Sequence, residues 1–382
     1  MFTNFWYVAE ESAAVVGGPD GGPVHTRMLG QDFVLFRDTA GTVHCLSNLC
    51  VHRGASLAHG KVKGDCIECP YHGWQFNGAD GTCAKIPSLG PDGKIPTRAK
   101  VDSYPVEERY GLIFVFLGDA PDADRPPILN MEEWDDPAWR WTYLNYTWPV
   151  NWQRAIENSL DPAHTEFVHP MMGYEGERDD YIVPALPLTE HPWGVGARRT
   201  NKSPTKSGSL KAGVRSGDGE GKTDTGHVGP NQVWIWIHFT DAAMFHQYAF
   251  VTPIDAHTSR RYFFQARNFI LEEQHDARVM ARIKEIAEQD RRVLTEMRPA
   301  FTPSSPTEEV LVGADNVIVR FREFLKDWQA NGWRIDEKAV AAADPEHKAF
   351  AIPSPQRRGR KGWVIDSVPV LATASEVAQA AE

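Results

Sequence analysis

Two short segments near the start of the chain each pair a cysteine with a histidine. The first reads Cys50-Val51-His52, and the second, after sixteen further residues, reads Cys69-Pro70-Tyr71-His72-Gly73-Trp74. Each segment supplies one thiolate and one imidazole from a tight turn. That donor set suits a [2Fe-2S] centre with both sulfur ligands on one iron and both imidazoles on the other. The two turns must then meet around one metal centre.

The cysteines also permit a zinc site. All five lie within 39 residues, at Cys45, Cys50, Cys66, Cys69 and Cys83. An odd, clustered set in a cytosolic chain indicates metal binding rather than disulfides. The first four could form a four-thiolate zinc ribbon, an alternative that leaves His52 and His72 unexplained. In the [2Fe-2S] interpretation, the other three cysteines are buried small apolar residues.

The chain as a whole predicts an α+β protein. Residues 33–116 alternate short β-branched and aromatic runs with turn signals, which predicts small antiparallel sheets within a first domain of residues 1–120. Residues 121–138 are proline-rich and predict a linker. A second domain, residues 139–370, combines strands near 233–240, 244–254 and 261–270 with helices near 272–297 and 316–331, and an alanine-rich tail covers 371–382.

One stretch of the second domain, residues 201–232, is rich in glycine, serine and lysine. It has too few apolar residues to pack, so we expect a mobile loop. Such a loop could close over a binding site as a lid.

Charge and hydropathy exclude some classes of partner. The net charge of −11 argues against a nucleic-acid partner. The sequence shows no secretory signal and no apolar run of about 20 residues, so we expect a cytoplasmic protein that does not enter a membrane. Residues 51–100 carry a local charge of +3, which could steer an acidic redox partner.

Two histidines of the second domain, His164 and His169, lie five residues apart. On a regular helix they would point about 140° apart, so they can share a metal only if the helix is distorted or ends between them. Pro170 supplies that stop, because proline disfavours helical geometry at the residue before it. Taken alone, two such histidines are more often packing or surface residues than ligands.

A carboxylate on the long helix could complete a site with these imidazoles. Asp290 falls on the apolar face formed by residues such as Ile283, Ala287 and Leu294, and an inward carboxylate without a cation is costly. Two imidazoles, one carboxylate and open positions suit iron(II) and its reaction with dioxygen. Asp276 lies near the helix start, where capping is the expected role.

Together these motifs resemble the Rieske non-haem iron aromatic-ring-hydroxylating oxygenases, in particular the oxygenase (alpha) component of the single-subunit monooxygenase and demethylase branch. The two cysteine-histidine segments carry the resemblance over residues 4–117. The spacing Asp161-x-x-His164-x-x-x-x-His169, followed by Gln289-Asp290-Arg291, extends it over most of the chain. The implied fold is an N-terminal all-β Rieske domain ahead of a catalytic domain whose curved antiparallel sheet is flanked by helices.

The resemblance also implies a role for each matching residue. The [2Fe-2S] ligands become Cys50, His52, Cys69 and His72. The mononuclear Fe(II) ligands become His164, His169 and Asp290. Asp161 becomes the carboxylate that connects an iron-ligating histidine to a cluster histidine of the next subunit in a head-to-tail homotrimer, with Asn158 as a weaker member of this outer set. From the residues alone, Asp161 could fix the tautomer of His164 or, standing before Pro162, be a capping aspartate.

The implied activity is O2-dependent hydroxylation or oxidative demethylation. Electrons come from a separate NAD(P)H-dependent reductase, with or without a ferredoxin, because the chain shows no dinucleotide-binding motif. Alternation in Val233–Phe239 and the aromatic residues near Met244 and Tyr248 favour an apolar aromatic or polycyclic substrate. Three alternatives stay open: a cis-dihydroxylating ring dioxygenase, a Rieske electron-transfer protein without oxygenase activity, and a zinc-stabilised binding module.

Overall fold

The computed structural model describes the chain apart from residues 19–20, 173–175, 204, 206–209, 218, 345 and 374–382. The described chain divides into two compact units. The first comprises Met1–Pro126, Thr252–Ala256 and the described part of Trp328–Glu382, and the second comprises Pro127–Val251 and His257–Asp327. The predicted segment of residues 139–370 thus contributes its last part to the first unit. The predicted limits of the first domain, the linker and the second domain, at residues 120, 138 and 370, stay predictions. Most of the predicted tail lies outside the described residues.

Short antiparallel strands build the N-terminal part of the first unit, as the sequence predicted. They are β1 (Phe5–Glu11), β2 (Val24–Met28), β3 (Gln31–Arg37), β4 (Val43–Ser47), β5 (Lys61–Lys63), β6 (Cys66–Glu68), β7 (Gln75–Asn77), β8 (Cys83–Lys85), β9 (Ser103–Tyr104), β10 (Val106–Arg109) and β11 (Leu112–Leu117). Their hydrogen bonds give the sheets β1-β11-β10, β2-β3-β4-β9 and β5-β6-β7-β8. β11 is apolar and buried along its whole length, which explains its central place between two partners.

A buried apolar cluster surrounds the two cysteines of the predicted [2Fe-2S] site. Cys50 and Cys69 are 1% and 2% exposed and pack with Leu57, Ile67 and Phe76. Cys50 lies shortly after β4, and Cys69 directly follows β6. Strands from two sheets therefore deliver both cysteines into one core.

The second unit contains one long antiparallel sheet and the helices packed beside it. Its elements are β12 (Arg140–Trp148), α1 (Trp152–Leu160), α2 (Thr165–Val168), β13 (Leu188–His191), β14 (Gly194–Ser203), β15 (Gly219–Val228), β16 (Gln232–His238), β17 (Met244–Pro253), β18 (Ser259–Arg267), α3 (Asp276–Glu296) and α4 (Asn316–Ala330). The strand order is β12-β18-β17-β16-β15-β14-β13. The predicted strands near 233, 244 and 261 and both predicted helices are confirmed. The C-terminal segment, which belongs to the first unit, contains α5 (Glu337–Ala342), β19 (Phe350–Ala351) and β20 (Asp366–Ser367).

The mobile loop predicted for residues 201–232 is wrong over much of its length. β15 pairs with β14 from Gly196↔Gly226 to Ser203↔Gly219 and with β16 on its other side. Backbone hydrogen bonds to both neighbours make this polar segment a strand, although its side chains contribute little apolar surface. Gly226 lies directly opposite Trp234 in the register, and a Cβ at Gly226 would lie 2.5 Å from that indole ring. The glycine that suggested a loop instead makes room for a tryptophan.

Asp276 does not cap α3 as predicted. Its carboxylate pairs with Arg267, whose side chain is 1% exposed, and accepts from Nη2 of Arg140 at 2.6 Å. A buried guanidinium is strongly destabilising unless a carboxylate compensates it, so Asp276 serves as that counter-charge.

Within the described residues, no helix is both long enough and apolar enough to cross a lipid bilayer.

Candidate metal centres and substrate pocket

The two cysteine-histidine segments fold into turns of the same hydrogen-bond pattern. The carbonyl of Cys50 accepts from the amide of Gly54 at 2.8 Å, and the carbonyl of Cys69 accepts from the amide of Gly73 at 3.1 Å. Both glycines adopt positive φ, 73° and 69°, which other residues reach only with strain. Each turn thus reverses the chain direction within five residues, and its cysteine is buried.

The histidines of these turns also meet. The rings of His52 and His72 lie 4.5 Å apart between centroids, and Trp74 stacks on His52 at 4.4 Å. Cys50 and Cys69 are close enough for their thiols to hydrogen-bond, and burial raises the pKa of the Cys50 thiol to about 12. Such a thiol loses its proton on binding a metal. The structure therefore brings the two predicted histidine ligands into contact with each other, and likewise the two predicted cysteine ligands.

His164 and His169 flank a single helical turn, because the helix breaks on both sides of them. α1 ends at Leu160, and Asp161 and Pro162 follow it. His164 is the residue before α2, and His169 directly follows it with φ −117° and ψ 68°. This break, expected from Pro170, removes the 140° separation of a regular helix and lets both rings turn toward α3. Their ring centroids are 5.2 Å apart.

Asp290 lies between the two imidazoles. Its Oδ1 is 3.6 Å from Nε2 of His164 and 3.2 Å from Nε2 of His169. One donor atom from each of the three residues lies within 4.8 Å of the others. Of the sites with three or more histidine, cysteine, aspartate or glutamate donors, this is the one found in the described residues. Asp290 lies in the middle of α3, so a rigid element positions the carboxylate.

Three polar groups orient these donors. The amide oxygen of Gln289 accepts from Nδ1 of His169 at 3.1 Å, and the backbone carbonyl of Asp161 accepts from Nδ1 of His164 at 3.0 Å. Both bonds leave the Nε2 atoms facing the carboxylate. Asn158 donates to Oδ1 of Asp290 at 3.3 Å. The sequence placed Gln289 beside a ligand but gave it no role, and only the fold shows that it reaches His169.

The carboxylate of Asp161 is placed differently from the expectation that it would fix the ring of His164. Its Oδ1 accepts from the amide of Ala163 at 2.6 Å, and Oδ2 lies 3.7 Å from Nδ1 of His164. The carboxylate therefore caps the backbone after Pro162, which the sequence analysis left open, while the backbone carbonyl orients the imidazole. Its other oxygen keeps an electrostatic contact with His164.

Electrostatics hold Asp290 and His164 in the state that binds a cation, whereas His169 must lose a proton first. Burial alone would raise the pKa of Asp290, but the hydrogen bond from His169 and nearby positive charges hold it below its ordinary value. Burial lowers the pKa of His164. For His169 the contact with Asp290 outweighs burial and raises the pKa. An ionised carboxylate beside a neutral imidazole is the state that binds a divalent metal.

A cavity of about 200 Å³ opens beside these donors. An apolar cavity of about 150 Å³ holds benzene, so this one has room for an aromatic ring. Its apolar lining includes Leu186, Ile235, Ile237, Phe239, Phe245, Phe263, Ile283 and Ile286. Ile235 and Ile237 share the pocket face of β16, as the alternation of a strand requires. Trp236 instead donates to the hydroxyl of Tyr248 at 3.0 Å. Lys211 and Thr223, from the stretch predicted as a lid, also line the cavity.

Comparison with known proteins decides the family. Residues 5–105 match the family described as the Rieske [2Fe-2S] domain, and residues 148–331 match the vanillate O-demethylase oxygenase C-terminal domain. TsaM1, the toluene-4-sulfonate monooxygenase system iron-sulfur subunit of Comamonas testosteroni, is 31% identical over 293 residues, which make up 71% of this chain and 80% of TsaM1. The chain belongs to the Rieske non-haem iron oxygenases.

Other relatives of the oxygenase agree with this. Methylxanthine N1-demethylase NdmA of Pseudomonas putida is 27% identical over 311 residues, 78% of either chain. The 3-chlorobenzoate-3,4-dioxygenase oxygenase subunit of Comamonas testosteroni is 31% identical over 172 residues, 44% of this chain and 38% of that protein. The solved structure of NdmA with caffeine has a TM-score of 0.72 at 24% identity and covers 86% of this oxygenase and 91% of that chain. It shares the fold described above.

Membership makes the chain an enzyme that carries a Rieske [2Fe-2S] cluster and a mononuclear iron, and the residues present fit both. An ion about 2 Å from each donor fits among His164, His169 and Asp290 at their observed separations. Nδ1 of His52 is buried and has no hydrogen-bond partner among the described residues. Leaving a buried imidazole nitrogen unpaired is costly, and a cluster iron would remove that cost. The oxygenase thus has a donor set for each group.

Proposed function

We propose that the oxygenase adds one oxygen atom from O2 to an apolar aromatic or polycyclic substrate, by hydroxylation or oxidative demethylation, at an iron held by His164, His169 and Asp290. The observation that carries the proposal is the convergence of these three donors at the wall of an apolar cavity. A site with two imidazoles and one carboxylate leaves coordination positions open for dioxygen. The cavity places an aromatic ring next to them.

The second part of the proposal concerns the electrons. Cys50, His52, Cys69 and His72 hold the [2Fe-2S] cluster, which receives electrons from a separate NAD(P)H-dependent reductase, with or without a ferredoxin. When bound, the cluster supplies single electrons and the mononuclear iron activates dioxygen. Asp161 connects the iron site to the cluster of the next subunit in a homotrimer. A cytoplasmic location completes the proposal.

In this scheme, residues around the iron site orient the three metal ligands. Gln289 and the Asp161 carbonyl fix the two imidazole tautomers, and Asn158 fixes one oxygen of Asp290. Mutation of such outer partners in metal sites commonly reduces metal affinity about 10-fold to 100-fold. The apolar walls exclude water, which protects a reactive centre from side reactions.

We favour monooxygenation over dihydroxylation because most of the relatives described above are named as monooxygenases or demethylases. The C-terminal region matches a demethylase domain, and TsaM1 and NdmA are named as a monooxygenase subunit and a demethylase. The relative named as a dioxygenase subunit matches over a smaller share of both chains. Ring dihydroxylation therefore stays the second candidate.

The test combines product analysis with metal content. The purified oxygenase, supplied with a surrogate reductase and NAD(P)H, is given methyl aryl ethers and methylated arenes under isotopically labelled dioxygen. We expect substrate-dependent oxygen uptake and one labelled oxygen in a hydroxylated product. A cis-diol with two labelled oxygens would establish the dioxygenase instead. Metal analysis should return about three irons per chain, whereas two irons fit an electron carrier and zinc alone fits a binding module.

A further inference from the structure

The pocket beside the proposed iron carries more positive than negative side chains, although the chain has a net charge of −11. Its basic lining residues in the described chain are Arg199, Lys211, Arg261 and Arg282, and its acidic ones are Asp161 and Asp290. A concave, low-dielectric site that concentrates one sign of charge attracts ligands of the opposite sign. The aromatic and apolar residues of the sequence predicted only an apolar pocket, so this excess of positive charge was not expected.

Three of the four basic residues bind backbone carbonyls around the site. Arg199 donates to the carbonyl of Pro162, and Arg282 donates to the carbonyl of Met171. Nζ of Lys211 donates to the carbonyl of Met172 at 3.3 Å. These contacts hold the segment that carries His164 and His169, so a structural role accounts for the three residues.

Arg261 is different. Its residue is 7% exposed, and its Nε is buried without a hydrogen-bond partner among the described residues. The guanidinium lies over the ring of Phe263 at 4.7 Å, a cation-π contact that fixes its position in the pocket wall. Burying a cation without an acceptor is unfavourable. Although Nε itself lies inside the pocket wall, Arg261 lines the cavity, where an anionic ligand would supply a counter-charge for the guanidinium.

Asp290 attracts the charge of Arg261 but makes no hydrogen bond to it among the described contacts. Its Oδ1 already serves His169 and Asn158, and its charge is needed by the two imidazoles and the metal. Once a divalent iron is bound, the ligand set has a net positive charge, so Arg261 gains no compensation from it. An anion in the pocket would compensate both.

Tyr146 provides a second donor beside Arg261. The two residues are direct partners in the antiparallel pair of β12 and β18, so their side chains project from the same face of the sheet about 5 Å apart at Cβ. Both line the cavity. A guanidinium next to a phenol hydroxyl is a donor set suited to an oxyanion.

We propose that Arg261 and Tyr146 form a seat for an oxyanion of the substrate, so that the oxygenase acts on an aromatic that carries a carboxylate or sulfonate group. This inference rests on the proposed function and narrows its substrate class. The apolar remainder of the substrate packs against walls such as Phe239, Phe245 and Ile283. The apolar walls of the pocket then bind the aromatic ring of the substrate, and Arg261 and Tyr146 bind its negatively charged group.

The experiment measures charge preference by calorimetric titration of the purified holoenzyme. Two acids are paired with neutral analogues of similar shape: 4-methoxybenzoate with 4-methoxybenzamide, and 4-toluenesulfonate with 4-toluenesulfonamide. We expect at least one acid to bind about 30-fold or more tighter than its amide. Arg261→Gln should remove that preference and leave amide affinity within a factor of two, and Arg261→Lys should keep part of it. Comparing the two acids shows which oxyanion the seat accepts.

Arg260→Gln is the matched control. Arg260 is the preceding residue of β18, donates to the hydroxyl of Tyr262 at 3.3 Å and does not line the described pocket, so the acid preference should survive its substitution. If Arg261→Gln does not fold, Tyr146→Phe and Arg261→Lys carry the test, and each should weaken acid binding selectively. Equal binding of acid and amide by the wild type, equal loss of both in Arg261→Gln, or binding of neither acid overturns the proposal.

The same preparation separates this inference from the proposed function. About three irons per chain with no acid preference would remove the oxyanion seat and leave the iron site intact. An iron content of about two would remove the proposed iron site, whichever probe binds. These two failures therefore give different results.

Discussion

Gln289 and Asp290, consecutive residues of α3, contact opposite nitrogens of one imidazole. The amide oxygen of Gln289 lies 3.1 Å from Nδ1 of His169, and Oδ1 of Asp290 lies 3.2 Å from Nε2 of the same ring. One helix thus supplies a proposed iron ligand and also fixes the tautomer of another. The two interactions define which atom of His169 faces the metal.

Gln289→Leu should weaken iron binding while keeping the [2Fe-2S] cluster. The leucine has a similar size but accepts no hydrogen bond, so Nδ1 of His169 loses its partner and the ring can turn. We expect iron affinity at the mononuclear site to fall about 10-fold to 100-fold, measured by competition with a chelator. Gln289→Glu, which keeps an acceptor, is the control and should retain most of the affinity. Unchanged affinity in Gln289→Leu would mean that the bond does not orient the ligand.

Asp290→Ala should empty the mononuclear site. Without the carboxylate, two imidazoles remain, and iron content should fall from about three to about two per chain. The visible spectrum of the cluster should not change, because its four ligands lie elsewhere in the chain. Glu288→Ala is the control on the same helix, since Glu288 pairs with Arg291. Full iron content in Asp290→Ala would disprove the assignment.

Asp161→Asn should slow turnover while both metals stay bound. An asparagine oxygen can still accept from the amide of Ala163, so the local backbone is kept, but the negative charge 3.7 Å from His164 is lost. We expect reoxidation of the reduced cluster to slow about 10-fold or more in a single turnover. Asp161→Ala, which also loses the cap, should in addition lower the melting temperature. Normal turnover in Asp161→Asn would leave capping as the role of this side chain.

Gly226→Ala tests whether residues 219–228 form a strand. A Cβ at this position would lie 2.5 Å from the ring of Trp234 and 2.6 Å from the carbonyl oxygen of Val195. We expect a loss of about 1 to 3 kcal/mol in the free energy of unfolding, seen as a lower melting temperature. Gly359→Ala is the control, because no described atom lies within 4 Å of a Cβ there. No effect of Gly226→Ala would favour the mobile loop that the composition suggested.

His227 should make stability depend on pH. Its ring is fully buried against Phe321 and Phe324, with centroid distances of 4.9 and 5.6 Å. Burial lowers its pKa from 6.5 to about 4. Between these two pKa values the unfolded chain binds the proton and the folded chain does not. The contribution of the neutral, buried ring of His227 to the free energy of unfolding is therefore complete above pH 6.5 and falls as the pH drops toward 4. The loss is about 2 kcal/mol at pH 5.

Melting temperatures of wild type and His227→Gln at pH 7 and pH 5 measure this contribution. Glutamine does not titrate, and its amide can donate to the carbonyl of Gly229, which now accepts from Nδ1 of His227 at 2.9 Å. The drop in melting temperature between the two pH values should be smaller in the variant. An equal drop in both proteins would show that other groups set the acid sensitivity.

Local chemistry made much of the site predictable from the sequence. The turns at Cys50 and Cys69 depend on residues within five positions, and glycine at 54 and 73 is needed for positive φ. His164 and His169 depend on the break enforced by Pro170. Asp290 could be found because an inward carboxylate among apolar neighbours requires a cation.

Features that depend on distant pairing were missed or misread. β15 was taken for a loop because its composition is polar, yet its hydrogen bonds come from β14 and β16 on either side. Asp276 was expected to cap α3, yet it neutralises the buried Arg267. In both cases the partner lies in another element, and no periodicity within the segment records it.

The sequence by itself determined which residue types could bind the two iron centres, because a ligand's chemistry and the turn that presents it are local properties. Only the tertiary structure shows that Gln289 hydrogen-bonds to His169, and that Arg261 and Tyr146 are paired neighbours in one pocket wall. Strand register and helix packing fix such contacts, and a one-residue shift in register would turn Arg261 to the other face of the sheet.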